Sequence, residues 1–541
     1  MINEKRHRLR LILPAFSHFN VYSGVAKVTT SLGPICVATS ASKLDLWDVE
    51  VVDENNCKSR FCPKDPKGRP NHKKLQQDRP ADVVGFYGSL SSTIPRLFEL
   101  AGLYKKMGAK TVAGGKHVEN KQEEALSHGI DVVVAGEGEH TIRDLLLAWQ
   151  NGAPLDSVSG IAFLKDGQMF GTAPRPLITD FDQLPYPDFS LLQYARMKFY
   201  PIGRIRGCNM NCEFCSVKDR TRCASPQRVM NQIAYLVENR KARQFFEVSD
   251  HFAADRDSAL EFCRLVASYK KRKRVRFTMT VQTRLNDARD PELLQAMKEA
   301  GINNLAIGFE SPIDEELKDM RKGYLSKDMI RWTDILHSYG FFIHGMFIFG
   351  YPKRDKTSSR IPLKDRVKRF RDFLLKAKID TAQVILTVPL PGTDLRERLD
   401  KEGRIYPLED IGWEYYDGQF PLFEPDDGIS PEELQQSVTK IMGGFYRFRN
   451  LIKMIFNMII HFPRMVFLAS LSIVTFRVTY IVGAFQKWKR RYFRNNLMRF
   501  GGYLILKSWL KKFKEDKFLI LLQEAKRKIR RSKEKFKTVS S

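Results

Sequence analysis

Short apolar runs alternate with longer amphipathic stretches along the first 152 residues. Runs at 9–13, 49–52, 83–87, 111–113 and 132–135 have the length and the β-branched content of strands. Between them, 94–107 and 142–150 repeat their apolar positions with the period of an amphipathic helix. Strands that alternate with helices predict an α/β, doubly wound parallel sheet, whose ligands bind beyond the carboxyl ends of the strands. The loops expected there are YGSLSST (87–93), AGGKHV (113–118) and AGEGEHT (135–141). Their small residues let the backbone approach a bulky ligand.

A second βα series begins near residue 200. Its strand candidates are 201–205, 245–248, 277–282, 305–309, 341–349 and 381–386, with helical patterns such as 226–239 and 291–300 between them. Residues 58–80 are polar and read as an insertion loop, with Cys57 and Cys62 at its start as free thiols. Residues 160–200 read as a linker with a small hairpin around Lys165, Asp166 and Gly167, and their prolines argue against a helix. From residue 446 long apolar stretches are broken by single cations. The expected divisions are 1–152, a linker 153–199, a second unit 200–430 and a mainly helical tail 431–541.

A chain of 541 residues is too long for one ordinary domain, and 43% hydrophobic residues supply real cores. The net charge of +28 is concentrated: residues 440–541 carry +21 and the first 439 only +7. A tail this basic signals a partner and not a fold. The eight cysteines suggest no disulfide framework, and a reducing compartment is expected. The basic start followed by a short apolar strand does not have the form of a signal peptide.

The chemistry concentrates in RGCNMNCEFC, residues 206–215, which spaces Cys208, Cys212 and Cys215 as C-x3-C-x2-C. Three thiolates at this spacing can hold three irons of a cubane cluster and leave the fourth iron for a chelating small molecule. A structural zinc site would need a fourth ligand, and Cys223 is the only nearby spare. The spacing, with Phe214 inside its last C-x2-C, resembles the cluster loop of radical S-adenosylmethionine enzymes. That resemblance implies a partial (β/α)6 barrel, a 4Fe-4S cluster and S-adenosylmethionine bound at the open iron. It also implies a 5′-deoxyadenosyl radical and an external electron donor. The strand ends VSDHF with Asp250, VQTR with Gln282, GFES with Glu310 and Ser311, and FIFGYP with Phe349 match the family's S-adenosylmethionine-binding stretches. Ser249 stands where the family often has a first acid. Glu310 has an alternative reading as an acid paired with a nearby cation, and Phe349 one as plain core. The stretch PLPGT (389–393) resembles the cobalamin-linked subgroup. Arg204, Arg206, Lys218, Arg220 and Arg222 surround the cluster loop and are expected to be mostly solvated.

The upstream loops resemble the cobalamin-binding domain that precedes many such cores. The resemblance implies cobalamin contacts from Ser89, Leu90, Ser91, Thr93, Gly114, Gly115, His117, Gly136 and Glu137. The loop PAFSHFN (14–20) lacks the Asp-x-His-x-x-Gly pattern of older cobalamin domains, so His18 is expected to be a solvated loop histidine. A flavodoxin-like domain for another nucleotide, or one that binds nothing, is the alternative.

Residues 465–485 have the length of a membrane span, but Arg477 would sit deep, so interfacial helices on an anionic membrane surface are preferred. A helical bundle capping the second unit is the alternative, and nucleic acid ranks behind both. The expected localisation is cytoplasmic, at the inner face of a membrane. The resemblance implies methylation of an unactivated carbon of a small-molecule substrate, and the +21 charge and apolar spans of the tail suggest a hydrophobic one such as a membrane lipid or isoprenoid. Radical cyclisation or carbon–carbon coupling, a tRNA methylthiotransferase, and a non-enzymatic cobalamin sensor or membrane scaffold are the rivals. No side chain is assigned a catalytic role beyond the cofactors.

Overall fold

The computed structural model describes residues 6–449 apart from 21, 355–360 and 427, then 495–512, 518, 520–525 and isolated helical positions between 452 and 470. Its first sheet contains β1 (His7–Leu13), β2 (Trp47–Asp53), β3 (Val83–Tyr87), β4 (Lys110–Gly114) and β5 (Val132–Val134). All five run parallel, with Leu11 opposite Val51 and Gly85. Apolar residues of these strands, Leu9, Ile12, Val51, Val84 and Val133 among them, are fully buried between helices on both faces. Such burial on both faces is why the runs are continuous and not alternating.

The stretch read as a linker adds strands to both edges of this sheet. β6 (Ile161–Lys165) pairs antiparallel with β5 and turns into β7 (Gln168–Gly171), while β8 (Leu192–Gln193) pairs with β2 at the opposite edge. Asp166 and Gly167 both take positive φ, 52° and 79°, as a two-residue hairpin turn requires. The thiols of Cys57 and Cys62, expected to be free, are joined in a disulfide. A turn closed by Cys62 N–H on the Ser59 carbonyl brings them together.

The second sheet is all parallel, in the order β16-β15-β14-β13-β12-β9. Its strands are β9 (Tyr200–Ile202), β12 (Gln244–Glu247), β13 (Thr278–Thr283), β14 (Ile302–Glu310), β15 (Phe342–Phe349) and β16 (Thr381–Leu386). The small pair β10 (Ile205–Arg206) and β11 (Arg222–Cys223) encloses the cysteine loop. Helix starts follow the sequence closely. Ser225 accepts the Arg228 N–H ahead of Pro226, and Asp290 accepts that of Leu293 ahead of Pro291. Proline suits this first helical position because its missing N–H would have no partner there. The two sides of this sheet differ. Met279, Val281, Leu305, Ile307, Phe309 and Val384 are buried under helices, whereas the alternate residues Thr280, Gln282, His344 and Gln383 are only half-buried.

The described part of the tail packs on the second unit. Helix Pro431–Phe445 ends at Tyr446, whose hydroxyl donates to the Ala382 carbonyl and accepts its N–H, both at 2.8 Å. This contact covers the exposed edge of β16. Arg499, in helix Asn495–Lys512, donates to the Ile379 carbonyl, and Phe518 packs on Tyr415 and Phe420. Among the described residues no helix is long and apolar enough to cross a membrane. Of the span 465–485 only 467 and 470 are described, and the basic runs 487–494 and 526–537 lie outside the described residues.

Candidate functional site

The cysteine loop leaves the carboxyl end of the first strand of the second sheet. Gly207 opens it at φ 84°, and a Cβ there would lie 2.3 Å from the Arg220 carbonyl oxygen. Only glycine permits the two arms of the loop to approach so closely. Cys208 N–H donates to Asp219 O at 2.9 Å, Thr221 N–H to Asn209 Oδ1 at 3.0 Å, and Lys218 Nζ to Cys212 O at 2.9 Å. Cys208, Cys212 and Cys215 are free and half-buried. Burial pushes the Cys215 thiol up, against the Val217 N–H that points at its sulfur. Among the described residues no three ligating side chains converge on a single-ion point. A cubane cluster asks for a different arrangement, one thiolate on each of three separate irons. Three free thiols on one braced loop fit that group.

The structure adds Glu213, which lies between Cys212 and Cys215. Its buried carboxylate accepts from Tyr351 Oη at 2.5 Å, Arg354 Nη2 at 2.7 Å and Arg398 Nε at 2.9 Å. Burial opposes its ionisation, but Arg398, Tyr351 and Arg354 outweigh this and hold the carboxyl below its usual range. The loop is thereby tied to the end of β15 and to helix Asp394–Lys401. Phe214 lies edge-on to Tyr351, with ring centroids 6.3 Å apart.

The strand-end residues divide into open and engaged groups. Asp250 is exposed toward the cavity described below, and Gln282 is half-buried on the open side of the sheet. Ser249 is buried and bonded to Glu247 and to the Ile205 N–H. Glu310 ends β14 at a bulge with φ 60°, a conformation uncommon for a non-glycine residue. Its Oε1 accepts from Lys322 Nζ at 3.0 Å, so the paired-acid reading describes its contact. A Cβ on Gly308 would lie 2.3 Å from that oxygen, so Gly308 makes room for the carboxylate. Ser311 is buried, bonded to Glu316 and the Ile313 N–H. Phe349 lies on the covered side in the core, 5.1 Å from the Phe370 ring.

A cavity of about 500 Å3 opens between the carboxyl ends of the two sheets. Ser89, Gly114, Gly115, Gly136 and Glu137 line it from the first sheet, and Gly207, Val217, Asp219 and Asp250 from the second. Gly115 takes φ 125°, and a Cβ there would lie 2.4 Å from Ser89 Oγ. These side-chain-free strand ends fit a large, flat cofactor. Leu90, Ser91, Thr93 and His117 do not line this cavity. His117 is buried, with Nδ1 2.9 Å from Ser91 Oγ and its ring edge-on to Trp413. Burial, with Arg396 and Lys121 nearby, lowers its pKa to about 3, so the imidazole is neutral. His18 is exposed at the surface of its loop.

The cations around the cluster loop, expected to be solvated, are mostly engaged, and Arg220 is exposed as expected. Arg204 is buried, bonded to Ser258 and the Phe252 carbonyl. Arg206 and Arg222 each place a guanidinium nitrogen 2.9 Å from a Glu137 carboxylate oxygen, and Arg206 also pairs with Glu139. Both guanidiniums lie over the Phe181 ring, 4.9 and 5.5 Å from its centroid. Glu137 is therefore a clasp between the first sheet and the cluster loop as well as a cavity residue.

Residues 202–357 match the Radical SAM superfamily and residues 64–146 the B12 binding domain. The chain is 28% identical over 390 residues to an uncharacterized methyltransferase of Pyrococcus horikoshii, covering 70% of this chain and 81% of the relative. It is 24% identical over 231 residues to the hopanoid C-2 methylase of Rhodopseudomonas palustris, 42% of each chain. Its fold resembles that of the radical S-adenosylmethionine methyltransferase TsrM from Kitasatospora setae, solved with cobalamin and a [4Fe-4S] cluster. The TM-score is 0.58 at 16% identity, over 73% of this chain and 78% of that one. With both domains in order, the chain is a cobalamin-binding-domain-containing radical S-adenosylmethionine enzyme, similar to methyltransferases, whose cofactors are a 4Fe-4S cluster, S-adenosylmethionine and cobalamin.

Proposed function

We propose that this enzyme methylates an unactivated sp3 carbon of a small-molecule substrate of lipid or isoprenoid type. The observation that carries the reading is the shared cavity: Gly115 and Gly136 line it from one sheet, Gly207 and Asp250 from the other. Chemistry divided between two cofactors needs both to reach one space. The cluster and S-adenosylmethionine supply the hydrogen-abstracting radical, and cobalamin supplies the methyl group.

In this reading Cys208, Cys212 and Cys215 hold the irons, and Glu213 braces their loop. Asp250, Gln282 and Glu310 receive the polar groups of S-adenosylmethionine, with Phe214 beside them. Ser89, Gly114, Gly115 and Gly136 cradle cobalamin, while Leu90, Ser91, Thr93 and His117 support that cradle from behind. Ser311 and Phe349 shape the strand ends from the core. Residues 1–152 with the edge strands of 153–199 form the cobalamin unit, 200–430 the radical core and 431–541 the tail. The reducing electron comes from an external donor.

Two observations support the lipid class. One is the similarity to a hopanoid methylase. The other is the tail, where Ile452, Ile455, Phe456, Ile459 and Ile460 share one helical face and are 47–68% exposed. Beside a net charge of +21, such a stripe suits an anionic membrane surface. The test supplies the reconstituted enzyme with trideuteromethyl-labelled S-adenosylmethionine, a reductant and cell extract separated into lipid and water-soluble fractions. A labelled lipid is expected. Label confined to water-soluble products would overturn the lipid class, and 5′-deoxyadenosine without label transfer would overturn methylation.

A further inference from the structure

The cavity wall on the side of the second sheet includes helix Pro226–Arg240, together with the carboxylates Asp219 and Asp250. Arg206 and Arg222 are neutralised by Glu137 and Glu139. Arg228 donates to the carbonyls of Asp182 and Pro185, both at 3.1 Å, and lies over the Tyr186 ring. One helical turn further on, Gln232 also lines the cavity. It is 6% exposed, and its buried Nε2 has no hydrogen-bond partner. Its neighbours Val229 and Ile233 are buried and apolar, so an apolar side chain of similar length would fill the place without leaving a bare amide. Native proteins rarely leave such a group unsatisfied unless a ligand or water completes it.

An amide can turn end for end within its own volume and offer either its donor or its acceptor. Another amide is a partner that satisfies both at once. The rim of a corrin ring carries neutral carboxamides, each with both a donor and an acceptor. We propose that Gln232 is a cobalamin-positioning residue: its carboxamide pairs with a peripheral carboxamide of the corrin ring. The ring is thereby oriented between the glycine-lined strand ends and the cysteine loop. This assignment rests on the cobalamin reading of the cavity.

The test is a binding titration, read by absorbance, of the cluster-loaded full chain with hydroxocobalamin and with cobinamide. Cobinamide keeps the amide-bearing rim and lacks the nucleotide tail. Gln232→Met keeps the length of the side chain and removes the amide. It is expected to bind both corrinoids about tenfold more weakly than the wild type, equivalent to about 1.4 kcal/mol. Gln232→Glu, which keeps the shape and removes the donor, weakens binding in the same direction. A melting curve of each cobalamin-free variant identifies any that fails to fold, and the other variant then decides. A loss confined to hydroxocobalamin would move the contact to the nucleotide tail and overturn the assignment to the ring. Equal affinities for variant and wild type would overturn it altogether. If the wild type takes up neither corrinoid, the cobalamin reading itself fails.

Discussion

Glu137 and Arg206 join the two halves of the molecule: Oε1 of the first lies 2.9 Å from Nη1 of the second. Glu137 follows β5 at the cavity's edge, and Arg206 stands two residues before Cys208. The pair fixes the cysteine loop relative to the cavity, and Arg222 reinforces it through the other carboxylate oxygen. Arg206→Met should leave the buried Glu139 without its cation and cost about 2–3 kcal/mol, by analogy with other charge-assisted bonds. Cobalamin uptake should fall, while iron content per chain stays near three to four, about that of one cubane with three protein thiolates. Differential scanning calorimetry and iron analysis check this; unchanged melting and unchanged uptake would refute the clasp.

Gly115→Ala should be damaging out of proportion to one methyl group. Its φ of 125° strains any other residue, and the new Cβ would meet Ser89 Oγ at 2.4 Å. A loss of about 1–3 kcal/mol is expected from the backbone alone, together with weaker corrinoid binding. Gly152→Ala, also at positive φ but in open space, should cost stability without changing corrinoid affinity.

Glu310→Ala and Glu310→Gln should differ. Alanine leaves the mostly covered Lys322 without its anion, and about 3 kcal/mol of stability should be lost. Glutamine keeps the shape and a hydrogen bond. Its main effect should be a higher KM for S-adenosylmethionine in the formation of 5′-deoxyadenosine, by about tenfold. A Gln variant with unchanged KM would remove Glu310 from the binding site.

Asp417 gives a dependence on pH with a definite sign. Burial, against bonds from Gln419, raises its pKa to about 8. The folded state therefore holds a proton that the unfolded chain releases above its ordinary carboxyl range. The associated stability is fully present below the unfolded pKa and is lost as pH rises toward 8. Asp417→Asn should raise Tm at pH 8 and not at pH 4, and thermal melts at the two pH values check it.

The alternating strands and helices of both units were legible because short apolar runs recur between stretches with a helical period, and the structure ends them within a few residues of the sequence bounds. β8 escaped notice because two residues carry no period. Cys208, Cys212 and Cys215 were legible because their chemistry lies in local spacing. Glu213 and Arg206 were not. The partners of Glu213 are 138, 141 and 185 residues away, and those of Arg206 are 69 and 67 residues away. Only the tertiary fold brings such groups together. Cys57 and Cys62 looked like free thiols because the turn that joins them leaves no pattern in composition. The tail's described apolar residues split between two fates that hydropathy does not separate: Phe518, Leu522 and Ala525 are buried on the second unit, and Ile452, Ile455, Phe456, Ile459 and Ile460 stand exposed on one face.

In the proposed function one chain brings a radical-generating cluster and cobalamin to a single cavity. The most direct measurement is anaerobic reconstitution with iron, sulfide and hydroxocobalamin, followed by absorption spectroscopy and a 5′-deoxyadenosine assay with S-adenosylmethionine and a reductant. The wild type should show a bound corrinoid spectrum and form 5′-deoxyadenosine. Cys212→Ala should keep the corrinoid and form none. A wild type that binds corrinoid and carries a reducible cluster yet cleaves no S-adenosylmethionine would contradict the account, as would cleavage that survives Cys212→Ala.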